Sequence, residues 1–126
     1  MTTAHIQQTH YRLSLDNGRH EFFADEPLDV GGTDSAPSPD ELLEAALASC
    51  TAITLRMYAD RKQWPIQQID VVVKVERVDG KTIITRNISF EGQIGEAEKE
   101  RLLQIAKACP VSKTLSGTIE LNSSIQ

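Results

Sequence analysis

S-A-P-S-P-D-E-L-L-E-A-A-L-A-S-C-T-A-I-T-L-R-M-Y-A, residues Ser35 to Ala59, is the stretch around which the rest of the chain is read. Strong helix formers dominate it: Leu42, Leu43, Ala45, Ala46, Leu47, Ala48 and Leu55. Its start is marked by Ser38 as N-cap, Pro39 as the first helical residue and Glu41 at the third helical position. This is a Ser-x-x-Glu capping box with proline where a missing N–H costs nothing. The helix is expected to run to Lys62 or Gln63 and to stop before Trp64-Pro65, because a residue preceding proline avoids the helical region. From Leu42 to Met57 nearly every side chain is apolar or small. Such a helix is expected to be buried on most sides. Cys50 sits near its middle among small residues (Ala46, Ala48, Ser49, Thr51, Ala52), which let another backbone or a small molecule approach closely.

Outward from this helix, hairpins come first. Residues His5 to Leu15 alternate in strand fashion and lead to Asp16-Asn17-Gly18, a turn signal, with Arg19 to Asp25 as the returning strand. Pro27 to Val30 reads as a further short strand, and Gly31 to Pro37 as a breaker-rich loop into the helix. After the helix, Ile66 to Val78 is the clearest strand signal. Asp79-Gly80 turns it into a partner over Thr82 to Gln93. Glu96 to Ala108 is a second helix with an acidic first turn and an apolar face of Leu102, Leu103, Ile105 and Ala106. Gly117 to Asn122 is expected to be a last strand. Hairpins with interspersed helices predict an α+β domain, a largely antiparallel sheet with helices on one side.

The chain has 126 residues, 40% of them hydrophobic and 25% charged, which suits one globular domain over residues 1–126. Net charge is −5 and no Lys/Arg cluster stands out, so nucleic acid is not an expected partner. No uninterrupted apolar run approaches the roughly 20 residues of a bilayer span. Met1 to Thr9 lacks a basic-then-apolar pattern, so no secretory signal and no membrane partner are expected. A cytoplasmic location follows as an expectation, with both cysteines reduced at rest.

Two cysteines make no metal motif, since a zinc site needs three or four ligands. His5, His10 and His20 lie on the first hairpin without ligand spacing. No metal or bound cofactor is expected. In apolar surroundings Cys50 reads first as an inert small hydrophobe and only second as a nucleophile; Ala46, Leu47, Ile53 and Thr54 on its helix face carry no charge, so any activating cation must come from elsewhere. Cys109 precedes Pro110 and fits the N-cap of a new helical turn, where backbone N–H groups favour a thiolate; it also reads as a small residue at a helix break. Ser49 and Thr54 are packing hydroxyls.

The segment Gly31-Gly32-Thr33-Asp34-Ser35-Ala36-Pro37-Ser38-Pro39-Asp40-Glu41-Leu42-Leu43, with Ala48-Ser49-Cys50-Thr51-Ala52, resembles the first motif of the OsmC/Ohr family, the osmotically inducible and organic hydroperoxide resistance proteins. Ala108-Cys109-Pro110-Val111-Ser112-Lys113-Thr114-Leu115 is similar to that family's second motif. The resemblance implies an OsmC-like fold built as an intertwined homodimer, with the long Cys50 helix at its centre. It implies thiol peroxidase chemistry on a hydroperoxide substrate: Cys50 becomes a sulfenic acid, Cys109 closes a disulfide, and an external dithiol, lipoyl in one branch, reduces it. Asp40 matches an acidic position of the family. It lies about 15 Å along the helix from Cys50, so it serves a cysteine only from a second chain, or else simply complements the helix start. The organic-hydroperoxide branch has an arginine in the first hairpin where this chain has Asp16. Arg19 is the nearest substitute, with Arg12 and Lys113 as other cations. The alternative function is a non-peroxidase of the same fold, a small lipophilic-ligand binder or redox sensor.

Overall fold

The computed structural model describes all 126 residues. They form two compact units, residues 1–45 and 46–126. The first contains β1 (Thr3–His5), β2 (Leu13–Asp16), β3 (Glu21–Ala24), a 3-10 turn at Leu28–Val30 and the start of α1 (Pro39–Lys62). The second contains the remainder of α1, then β4 (Ile66–Val78), β5 (Lys81–Gly92), α2 (Glu96–Lys107) and α3 (Pro110–Ser116). The α+β class holds.

In the first unit β1, β2 and β3 make an antiparallel sheet in that order. The β2–β3 hairpin closes over Asn17–His20: Asn17 Oδ1 accepts the amides of Arg19 at 3.0 Å and His20 at 2.8 Å. Pro27 to Val30 is a 3-10 turn and not the expected strand, because the amides of Val30 and Gly31 bond back to Pro27 O and Leu28 O at 3.1 Å. The loop beyond is organised by Asp25, a buried carboxylate. It accepts the hydroxyls of Ser35 and Thr33 at 2.7 Å and the amides of Glu26, Ser35 and Tyr11 at 2.8, 3.1 and 3.3 Å. The Ser35 and Thr33 hydroxyls, joined by these amides, hold its carboxyl well below the usual range despite burial. That carboxylate cluster delivers the chain to the capping box. There Ser38 N donates to Glu41 Oε1 at 3.1 Å and Glu41 N donates to Ser38 Oγ at 3.3 Å.

In the second unit Leu47, Thr51, Leu55 and Ala59 form one buried stripe along α1, spaced so that they share a helix face. The core joins Leu55 and Ala59 to Ile66 of β4 and to Leu102 and Ala106 of α2, with Trp64, Ile69, Ile88 and Phe90 packed around them. Strands β4 and β5 are a long antiparallel pair, Val78 opposite Lys81 across Asp79-Gly80. Both turn residues have positive φ, 52° and 73°, as a tight hairpin requires. Arg56 fastens α1 to the start of β4, donating to Ile66 O at 2.9 Å and Gln67 O at 3.3 Å. At the far end of β5, Gly92 has φ 144° and a Cβ there would collide with Pro65 O. Only glycine fits that close approach.

Three further expectations are corrected. The strands fall into two sheets of three and two, not one. Residues 117–126 form no strand: they have no neighbouring strand to pair with in the chain, and Ile119 and Leu121 stand exposed. Nor is α1 buried on most sides. Only 22% of its most apolar 18-residue window is buried, although by length and composition alone it is long and apolar enough to cross a bilayer. A single chain covers one stripe of it and leaves Ile53 and Met57 55% and 61% exposed.

Leu102 is fully buried at the centre of the second unit. Leu102→Ala is expected to cost about 2–5 kcal/mol, read as a lower urea midpoint at equal protein concentration.

Candidate functional site

Both cysteines lie in the second unit, and α1, β5, α2 and α3 each bring a group to them. The buried stripe of α1 turns Thr51 inward, and Cys50 beside it is half-buried. Helix α2 ends at Lys107, and the chain bends at Ala108 with its amide on Ile105 O at 3.1 Å. Pro110 then starts α3, whose N-cap is Cys109 as the sequence predicts. The Cys109 side chain is 0% exposed, and its sulfur accepts the Ser112 amide at 3.5 Å. Neither cysteine is in a disulfide.

The cation at this site is Arg86, a residue that the reading of the sequence passes over. It occupies the middle of β5 opposite Val73, and its side chain shares a strand face with Ile84, Ile88 and Phe90. That alternation was the available signal: a charge set among inward-facing apolar residues needs partners. Arg86 Nη1 donates to Ser112 Oγ at 2.6 Å, Thr51 Oγ1 at 3.0 Å and Ala106 O at 3.1 Å, and it stands 3.9 Å from Cys109 Sγ. Two N–H bonds shared among four acceptors hold the guanidinium at a branch point. Thr51 Oγ1 in turn donates to Leu47 O at 2.7 Å, which fixes its lone pairs toward Arg86. Ala106 O, one of the carbonyls left over at the end of α2, is satisfied by Arg86, by Ser112 Oγ at 3.3 Å and by the Cys109 amide at 3.2 Å.

Burial pushes the Cys109 thiol up. The Ser112 hydroxyl, with the Ser112 amide and the Cys50 thiol, overcomes it and brings the group from 9.0 down to about 7. The Arg86 charge acts in the same direction. Thus Cys109 is the acidic thiol, and Cys50 is one of the donors that favour its thiolate. Beside this cluster opens a cavity of about 470 Å³, with Leu47, Ile84 and Leu115 as apolar lining and Arg86, Lys107 and Ser112 as polar lining.

Of the other candidates, Arg19, Arg12 and Asp40 belong to the first unit and Lys113 to α3 of the second. Arg19 is exposed in the β2–β3 turn of the first unit. Arg12, also in that unit, bonds Ser35 O and Oγ at 3.1 Å and lies over the Phe23 ring. Asp40 is in the first turn of α1, within the first unit. Lys113 has an exposed side chain, and its amide donates to Cys109 O at 3.0 Å.

An α+β chain with a buried, cation-held cysteine beside a second, half-buried one defines a paired-thiol protein. The model of the OsmC-like protein family matches residues 32–124, and the chain belongs to that family. Among solved structures it is similar to an OsmC-like protein from Mycoplasma pneumoniae, with 22% identity, a TM-score of 0.78 and coverage of 93% of this chain and 86% of that one. A putative osmotic stress induced and detoxification response protein from Psychrobacter arcticus gives 23%, 0.75, 90% and 85%. An organic hydroperoxide resistance protein from Elizabethkingia anophelis gives 24%, 0.68, 94% and 89%. At these identities the likeness is one of fold. No curated protein matches the chain.

Ser112→Ala removes the strongest donor to the Cys109 thiolate. The midpoint of the Cys109 thiolate transition, followed by ultraviolet absorbance against pH, is expected to move upward from about 7. Because the folded-state value lies below the ordinary one, ionised Cys109 stabilises the fold at high pH and loses that contribution as pH falls through about 7. In Ser112→Ala this part of the pH dependence of unfolding is expected to shrink.

Proposed function

We propose that the protein is a thiol-dependent hydroperoxide reductase serving oxidative-stress defence, with Cys50 as the attacking and Cys109 as the resolving cysteine. The observation that carries this reading is the difference in access within one thiol pair. Cys50 is half-buried and can meet a peroxide, whereas Cys109 is fully buried beside it and is supplied with donors. Cys50 sulfur attacks one peroxide oxygen; the O–O bond breaks, the alcohol leaves, and Cys50 becomes a sulfenic acid. The Cys109 thiolate then attacks the Cys50 sulfur, forming the disulfide and releasing water. An external dithiol of the lipoyl class restores both thiols, and no bound cofactor takes part. The apolar lining of the neighbouring cavity suits the organic part of an alkyl or aryl hydroperoxide.

In this reading the working form is a homodimer. Ile53 and Met57 on α1 and Val72 on β4 expose apolar surface that a monomer does not ordinarily leave bare. A second chain packed on α1 accounts for it without a membrane, and is the source from which Asp40 would reach the Cys50 sulfur. The fold relatives named for hydroperoxide resistance support the reaction class.

Reduced protein is expected to consume cumene hydroperoxide with loss of two thiols per peroxide. Cys109→Ser is expected to stop after one turnover with a dimedone-reactive Cys50. Cys50→Ser is expected to be inactive; if it consumes peroxide as fast as the parent, the assignment fails. Light scattering is expected to give twice the chain mass, and Met57→Glu is expected to lower it toward that of one chain.

A further inference from the structure

The groups around Cys109 are more elaborate than a resolving cysteine needs merely to be nearby. An arginine in the middle of a strand, on its apolar face, is bound at one nitrogen by a buried threonine, a helix-end carbonyl and a serine, and that nitrogen is 3.9 Å from the Cys109 sulfur. No comparable cation lies on the helix face of Cys50, where the neighbours are Ala46, Leu47, Ile53 and Thr54. The two sulfurs of a Cys50–Cys109 disulfide would therefore differ in two respects. The Cys50 sulfur is the accessible one. The Cys109 sulfur is the one whose departing negative charge is already met by a fixed positive group.

We infer that Arg86 sets the direction in which the disulfide opens: the reductant's thiolate attacks Cys50 Sγ, and Cys109 leaves as the thiolate that Arg86 holds. This rests on the disulfide cycle proposed above and adds the identity of the attacked sulfur and of the group that selects it. The reductant is of the thiol class. Its thiolate forms a new S–S bond to Cys50 while the Cys50–Cys109 bond breaks, and the electron pair of that bond stays on Cys109. With a dithiol, the second thiol attacks the reductant's own bound sulfur; Cys50 is released and takes up that thiol's proton, and the reductant departs as a disulfide two electrons poorer. Both bonds broken are S–S bonds, and each exchange is faster for a more acidic leaving thiol. The geometry places that thiol first in line. Thr51, Ala106 and Ser112 pin Arg86 before any charge develops, so no reorganisation is needed when Cys109 departs.

The test separates this inference from the peroxidase reading. The disulfide is made with diamide, which needs no peroxide turnover. It is opened with 2-mercaptoethanol, quenched in acid, labelled with N-ethylmaleimide and mapped by mass spectrometry. The mercaptoethanol adduct is expected on Cys50 and the maleimide on Cys109; an adduct on Cys109 overturns the inference. Arg86→Ala is expected to slow opening near neutral pH by about tenfold, with the adduct no longer confined to Cys50. Arg86→Lys is expected to keep the charge, most of the rate and the Cys50 adduct. A purely structural role would not move the adduct between sulfurs or be rescued by lysine. Opening in Arg86→Ala at the parent's rate overturns the inference, and the mapping on the unsubstituted protein stands even if Arg86→Ala does not fold. If peroxide fails to oxidise the protein while the diamide-made disulfide opens at Cys50, the peroxidase reading falls and this inference holds. If diamide forms no Cys50–Cys109 bond, both fall.

Discussion

A half-buried arginine side chain holds the site together. Arg86 Nη1 meets Thr51 from α1, Ala106 O from the end of α2 and Ser112 from α3, and so joins three helices to one strand at a single nitrogen. A guanidinium partly withdrawn from water needs acceptors, and here each acceptor also has a reason to want a donor. Ala106 O is a leftover helix carbonyl. Thr51 has committed its proton to Leu47 O and has lone pairs to fill. The Ser112 hydroxyl accepts from Arg86 and has one proton, which serves Ala106 O or the Cys109 sulfur. The Cys109 thiol is held in the middle of this mutual satisfaction.

The packing explains why this charge is tolerable. Ile84, Ile88 and Phe90 share Arg86's strand face, and the core of Leu55, Ala59, Ile66, Leu102 and Ala106 sits against the same elements. The apolar surroundings raise the cost of an unpaired group and strengthen each interaction that is made. That is how Cys109 comes to be both fully buried and acidic: burial alone opposes the thiolate, and an ordered set of donors reverses the sign. The tiny side chains around Cys50 have a matching role, since Ala46 and Ala48 leave room beside α1 that larger residues would fill.

The first unit shows the same logic with the opposite charge. Asp25 is buried, and hydroxyls and amides from Thr33, Ser35, Glu26 and Tyr11 surround it. A carboxylate with that many donors orders the glycine-containing loop and presents Ser38 in position to cap α1. Local signals in the loop, read as turn residues, thus reflect a long-range polar cluster that no short window reveals.

Much of the architecture was legible because its causes are local. The capping box at Ser38 and Glu41, the Asp79-Gly80 turn, the β4–β5 alternation and Cys109 as an N-cap each depend on residues a few positions apart, and each formed as read. The misreadings share a different cause. Pro27 to Val30 became a 3-10 turn because a short strand needs a neighbour, and residues 117–122 have the alternation of a strand without a partner in the chain. Apolar composition along α1 says that surface wants cover, but not whether the same chain supplies it. The sequence by itself determined the α+β class, the two motifs and the pair of thiols. Only the tertiary structure decided which cation serves Cys109. Arg86, Thr51, Ala106 and Ser112 are scattered through the chain, and it is strand alternation on β5 together with helix packing against it that turns them toward one sulfur.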